Sequence, residues 1–184
     1  MEKTKKMVLT AMMCAVLCVL SVLQIPMPSG VPITLQTFAV ALCGYVLGQT
    51  YGTISAMLYL LIGFIGIPVY AGFKAGPSAL FGVTGGFIFG FILLAFFCGL
   101  GKKKSRGFGF FLSIILGIIG LACCHTLGAI QFSYVAHQTI LQSFLLVSVP
   151  YIVKDVLSII GAKVASLAIN KALEKAHFSN IETA

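Results

Sequence analysis

Apolar runs recur along this chain with little between them except glycine, proline and short clusters of lysine. They fall at about 7–23, 34–48, 51–66, 83–100, 108–130 and 145–170, and most approach the ~20 residues a helix needs to cross the hydrocarbon core of a bilayer. A backbone in lipid has no water to bond, so runs of this kind are expected to satisfy their own polar groups as helices. The expected fold is an all-α integral membrane protein: one membrane domain over residues 1–184, with six transmembrane helices and ordered outer loops. The second helix is short and begins in a proline-rich stretch, which suits a tilted or partly interfacial element. Residues 131–144 offer room for a further short helix. Composition points the same way, since 59% of residues are hydrophobic and only 9% charged.

The net charge of +8 raises the question of a nucleic-acid partner. The basic residues do not line one face, however; they gather at the ends of apolar runs and act as topology signals, so no nucleic-acid partner is expected. With the N-terminus in the cytoplasm, the inner segments hold Lys3, Lys5, Lys6, then Lys102, Lys103, Lys104, Arg106, then Lys171 and Lys175. The outer loops, at 24–33, 67–82 and roughly 131–149, hold only Lys74. Both termini are therefore expected in the cytoplasm. The Lys3/Lys5/Lys6 cluster before an apolar run imitates a secretory signal, but no convincing small-residue cleavage site follows, and the segment reads as a retained first helix.

Two outer loops look built for a purpose. Gln24 to Pro32 holds Pro26, Pro28 and Pro32, which restrict the backbone and suit a semi-rigid lid. From Gly63 to Gly86 glycines interrupt an apolar stretch, and irregular backbone at membrane depth is tolerated only where it is buried in protein or lines a cavity. A cavity wall is expected there, with Gly85 part of it.

Asp155 is the only acidic residue between Glu2 and Glu174. A carboxylate inside an apolar helix costs about 2.5–3.5 kcal/mol on insertion scales and marks a functional site by default. Helical spacing places Ser148, Tyr151, Asp155 and Ser158 on one face, and Pro150 suits the first turn of that helix. The alternative is a structural ion pair. Lys154 is adjacent, where helix neighbours do not face each other, and Lys163 lies two turns further on. Lys154 then either snorkels to the interface or adds charge to the same pocket. Lys74 reads as an ordinary loop lysine or as the cation opposite Asp155. Thr34, Gln36 and Thr37 add neutral polar groups, and Tyr59, Tyr70 and Phe73 offer apolar walls or plain packing.

Catalytic patterns are missing. His125, His137 and His177 are scattered and read as structural, no metal-ligand spacing or GxSxG is present, and a single internal acid cannot form a carboxylate pair. Six cysteines in apolar runs read as small hydrophobes. The chain is not expected to be an enzyme or to hold a metal or cofactor. It has no P-loop, so energy from ATP must come through a partner. On the first helix Ala11 and Ala15, with Cys18 beyond them, form a strip of small side chains that permits close helix approach, either to a partner or within the chain.

The run Val31-Pro32-Ile33-Thr34-Leu35-Gln36-Thr37-Phe38, then Tyr59-Leu60-Leu61-Ile62-Gly63, Gly66-Ile67-Pro68-Val69-Tyr70, Thr84-Gly85-Gly86 and Pro150-Tyr151 leading to Asp155, closely resembles the BioY family. These are the biotin-specific substrate-binding subunits (S components) of energy-coupling factor (ECF) transporters, and the resemblance covers nearly the whole chain. It implies a subunit of a bacterial-type plasma membrane that binds biotin from outside in a pocket closed by the loops after helices 1 and 3. It also implies docking through Ala11 and Ala15 on a membrane coupling protein that sits on two cytoplasmic ATPases. The family's last-helix acid, which contacts the ureido ring, maps onto Asp155. Two departures stand out: Ser158 occupies a position where relatives often carry lysine, and Val83 replaces the proline of a GPTGG segment. The rival reading is a stand-alone proton-coupled carrier with Asp155 as its titrating group, for which no inverted repeat is visible.

Overall fold

A computed structural model of the chain describes residues 2–102 and 107–176. The expectations attached to Lys103, Lys104, Arg106 and His177 lie outside the described residues. Helix α1 (Glu2–Val22) leads into a hairpin of two short strands, β1 (Gln24–Ile25) and β2 (Ile33–Thr34), with Gln24 opposite Thr34 and Ile25 opposite Ile33. Helices α2 (Gln36–Leu47) and α3 (Gln49–Phe64) follow. A 3₁₀ turn (Ala71–Phe73) and the single-turn α4 (Pro77–Leu80) come next, then α5 (Gly85–Leu100) and α6 (Phe108–Ala136), and finally α7 (Ile140–Val147) and α8 (Val149–Lys175). The proline-rich lid is thus a hairpin. Prolines cannot donate to a ladder, which keeps its strands to two residues each.

The six-helix expectation needs refinement. Among the described residues six helices have twelve residues or more, but only α1 and α6 are long and apolar enough to cross a membrane alone. The expected last helix is broken: α7 and α8 meet at a 52° bend, and only as a pair are they long and apolar enough for a third span. Pro150, in the first turn of α8, explains the break, because it has no N–H to bond back into α7. A Thr139/Gln142 capping box starts α7, and α6 runs on to Ala136, where His137 adopts φ 53. Helices α2, α3 and α5, of 12, 16 and 16 residues, fall short of a hydrocarbon core about 30 Å thick.

Helix α2 is central. It packs against α1, α3, α5 and α8, and all of its residues except Phe38 are buried, as expected of a helix apolar on every side. Close approach depends on Gly44, where a Cβ would run into Ala95 and Cys98 of α5. Gly48, at φ 86, makes the one-residue reversal into α3 that a side chain would resist. The outer surfaces of α1, α6 and α8 instead expose Met12, Val19, Ile115, Val153 and Leu157, the lipid-facing surface of a membrane protein. Ala11 and Ala15 are exposed on α1 beside Met12 and are not used for packing inside the chain.

At the end opposite the hairpin, the Lys163 ammonium is buried with no carboxylate beside it among the described residues. It donates to Gly101 O at the end of α5 (3.0 Å) and lies 5.0 Å from the centroid of the Tyr45 ring. The Tyr45 hydroxyl donates to Ser113 O on α6, and the Asn170 amide reaches Tyr45 O.

Candidate functional site

Beneath the hairpin lies a cavity with about 690 Å³ of atom-free space, its open mouth included. The hairpin contributes Val31, Pro32 and Thr34, and α2 contributes Gln36 and Thr37 from its first turn. The segment between α3 and α5 adds Tyr70, Ala71, Lys74, Ala79 and Thr84. Phe87, Ile88 and Phe91 of α5 with Leu121 and Cys124 of α6 form an apolar wall. His125 of α6 and Tyr151, Lys154 and Asp155 of α8 complete it.

The carboxylate of Asp155, 4% exposed, is held from two sides. Oδ1 receives the Lys154 ammonium, and Oδ2 lies 3.2 Å from Nε2 of His125. Lys154 also donates to Thr34 O of the hairpin at 3.1 Å, so one side chain joins α8 to the lid. Adjacent helix positions were expected not to meet. Lysine's four-carbon stem defeats that expectation by curling sideways, and the Thr34 carbonyl gives the ammonium a second reason to lie across the cavity edge. His125 was read as structural, yet it is the second partner of the only internal acid.

The hairpin is tied down a second time. The Tyr151 hydroxyl donates to Val31 O and lies 2.9 Å from Ser29 Oγ. On the α2 side, Thr34 Oγ1 donates to Gln36 Oε1 (3.0 Å), and Gln36 Nε2 donates to the Tyr59 hydroxyl (2.7 Å). Tyr59 therefore stands behind the wall and orients Gln36, with its ring edge-on to Tyr70 at 5.5 Å.

Besides Tyr59, three more expected site residues do not line the cavity. Phe73 is 69% exposed at φ 59 and points away from the cavity, turned outward by the 3₁₀ segment. Ser158 bonds back to Lys154 O and faces an outer groove with Pro150, Val153 and Leu157; three steps along a helix leave it about 60° off the direction of Asp155. Gly85 does not line the cavity. It lets the first turn of α5 sit against Leu80 O, where a Cβ would collide with that carbonyl and with the Gln131 amide. Gln131 in turn donates to Leu80 O and Gly82 O, fixing the glycine-rich segment. Lys74 is at the cavity, exposed, and makes no ion pair among the described residues.

The arrangement offers a ligand an enclosed apolar slot, a polar end built around a neutralised carboxylate, and a lysine near the opening. Comparison with known proteins places it. Residues 1–175 match the model of the BioY family. The biotin transporter BioY of Thermotoga maritima is 39% identical over 148 residues, covering 80% of this chain and 86% of that protein. The biotin transporter BioY2 of Lactococcus lactis is 32% identical over 175 residues, covering 94% and 95%. A crystal structure of the S-component for biotin from an ECF-type ABC transporter superposes with a TM-score of 0.83 at 29% identity, covering 92% of each chain. Sequence over almost its whole length and fold over nine-tenths of it agree, and the chain belongs to the BioY family.

Proposed function

We propose that this protein is the biotin-binding S subunit of an ECF-type vitamin transporter, and that biotin occupies the cavity beneath the hairpin. The observation that carries the reading is a buried carboxylate, flanked by Lys154 and His125, in the wall of a largely apolar cavity that Lys74, without an ion pair among the described residues, also lines. Biotin has that polarity: a cyclic urea at one end, an apolar bicycle and chain, and a carboxylate at the other. Lys74 meets the ligand carboxylate. The hairpin end faces the outside, as the clustering of Lys3, Lys5, Lys6, Lys171 and Lys175 at the other end supports. The exposed Ala11/Ala15 strip meets the membrane coupling protein, whose two ATPases supply the energy that this chain, without a P-loop, cannot. The chain is a transport subunit and no enzyme.

The test is a titration of the purified protein in detergent with biotin, riboflavin, thiamine and pantothenate. Saturable binding of biotin alone, without ATPases, is expected. Absence of saturable biotin binding, or equal binding of another vitamin, would overturn the proposal.

A further inference from the structure

We infer that His125 reads the ligand directly: its Nδ1 accepts one ureido N–H while Lys154 donates to the ureido oxygen, and Asp155 serves to hold both. This rests on the biotin reading above. An ionised carboxylate only accepts hydrogen bonds, so the His125 Nε2 facing Asp155 Oδ2 carries the ring proton. With the ring proton on Nε2, the Nδ1 of that tautomer is a bare acceptor. That atom is buried and has no hydrogen-bond partner among the described residues, in a side chain that lines the cavity. A buried polar atom left unpaired in a binding cavity is an atom kept for something else. The ring cannot turn freely to find another partner, because Phe87 packs edge-on against it at 5.7 Å.

Lys154 supplies the complement. Of the three donors of its ammonium, one faces Asp155 and one Thr34 O, which leaves one. A free acceptor on α6 and a free donor on α8 therefore stand around one carboxylate, whose Oδ2 faces His125 and whose Oδ1 lies against the Lys154 ammonium but has no hydrogen-bond partner of its own among the described residues. An adjacent N–H and C=O, as in a cyclic urea, matches that pair, whereas a ligand carboxylate in the same place would face a bare lone pair.

The experiment measures affinities of the wild-type protein, His125→Phe and His125→Asn for biotin and for its two isomers methylated on a single ureido nitrogen. Wild type is expected to favour biotin over one isomer at least tenfold. In His125→Phe biotin weakens at least tenfold while that isomer changes less than threefold, so the preference collapses. His125→Asn, which retains an acceptor, recovers part of it. Equal weakening of biotin and both isomers would mean that His125 only holds Asp155 in place, and would overturn the inference, as would unchanged affinities. A reading independent of variant folding comes from ¹⁵N spectra of histidine-labelled wild type: one Nδ1 resonance shifts on adding biotin, and unmoved resonances also overturn it. A wild type that binds no biotin refutes the functional reading itself, an outcome distinct from either of these.

Discussion

Tyr151→Phe isolates the lid. The hydroxyl it removes joins α8 to the hairpin through Val31 O and Ser29 Oγ, and the ring it keeps continues to pack with Val31, Phe132 and Val147. A hydrogen bond contributes about 0.5–1.5 kcal/mol net, so two bonds contribute about 1–3 kcal/mol. Ser29 already lies within reach of Val31 O at 3.3 Å and can compensate in part, which brings the loss to about 1–2 kcal/mol. These bonds exist only while the hairpin is closed. Their removal eases opening, and a ligand trapped beneath the hairpin leaves about 5–30 times faster. The equilibrium affinity changes less, because an easier opening also speeds binding. The assay is a chase: protein loaded with labelled biotin in detergent is mixed with excess unlabelled biotin and the release rate is read. A release rate within twofold of wild type would refute the reasoning, since it would mean that the hairpin bonds do not resist opening. A lower affinity with unchanged release would refute it equally, by showing that the Tyr151 hydroxyl acts only in speeding capture.

The pair at the polar end separates stability from recognition. Asp155→Leu leaves Lys154 without its counter-charge and is expected to cost stability at the low end of about 3–5 kcal/mol, because the Lys154 side chain is 30% exposed. Lys154→Met with Asp155→Leu should restore the thermal midpoint but not biotin binding; recovery of binding in the double variant would contradict the site. Lys74→Ala should weaken biotin by about fivefold, equivalent to about 1 kcal/mol for an exposed charge pair, and leave biotin amide unaffected. Equal loss for both ligands would remove Lys74 from the ligand carboxylate. Gly85→Ala forces a Cβ onto Leu80 O and should cost about 1–3 kcal/mol, read as a lower unfolding midpoint; an unchanged midpoint would show that the start of α5 yields freely.

Much of the architecture was visible because lipid imposes simple rules. Apolar runs marked the long helices, prolines marked the lid, and an isolated carboxylate marked the polar end of the cavity. What escaped was whatever depends on register between helices. Nothing in GLACCHTLGAIQ says that His125 on α6 lies level with Asp155 on α8, since the two are thirty positions apart and meet only through packing. The one available signal was that a buried imidazole in an apolar run needs a partner and the chain has only one internal acid to offer. Periodicity likewise grouped Ser158 with Asp155, although a wheel cannot tell how wide the cavity-facing sector is. The adjacency rule failed for Lys154 because it describes where Cβ atoms point, and the charge of a lysine lies four carbons beyond. The break between α7 and α8 was written in Pro150, but so was an ordinary helix start, and only the capping box at Thr139 shows that a separate helix precedes it.

Lys163 has a consequence for how cargo travels. Helix α8 is fastened to its surroundings at two levels, near the lid by Lys154 to Thr34 O and far from it by Lys163 to Gly101 O and Asn170 to Tyr45 O. A rod riveted at both ends does not swing, and the fully buried Tyr45, Leu94 and Ile159 plug the space between. The hairpin and the segment joining α3 to α5 line the cavity, both at the same end. The chamber then has one door. On the proposed reading, cargo leaves by the way it came in, and the whole vessel turns over in the bilayer, where a carrier with two gates could stand still and open them in turn.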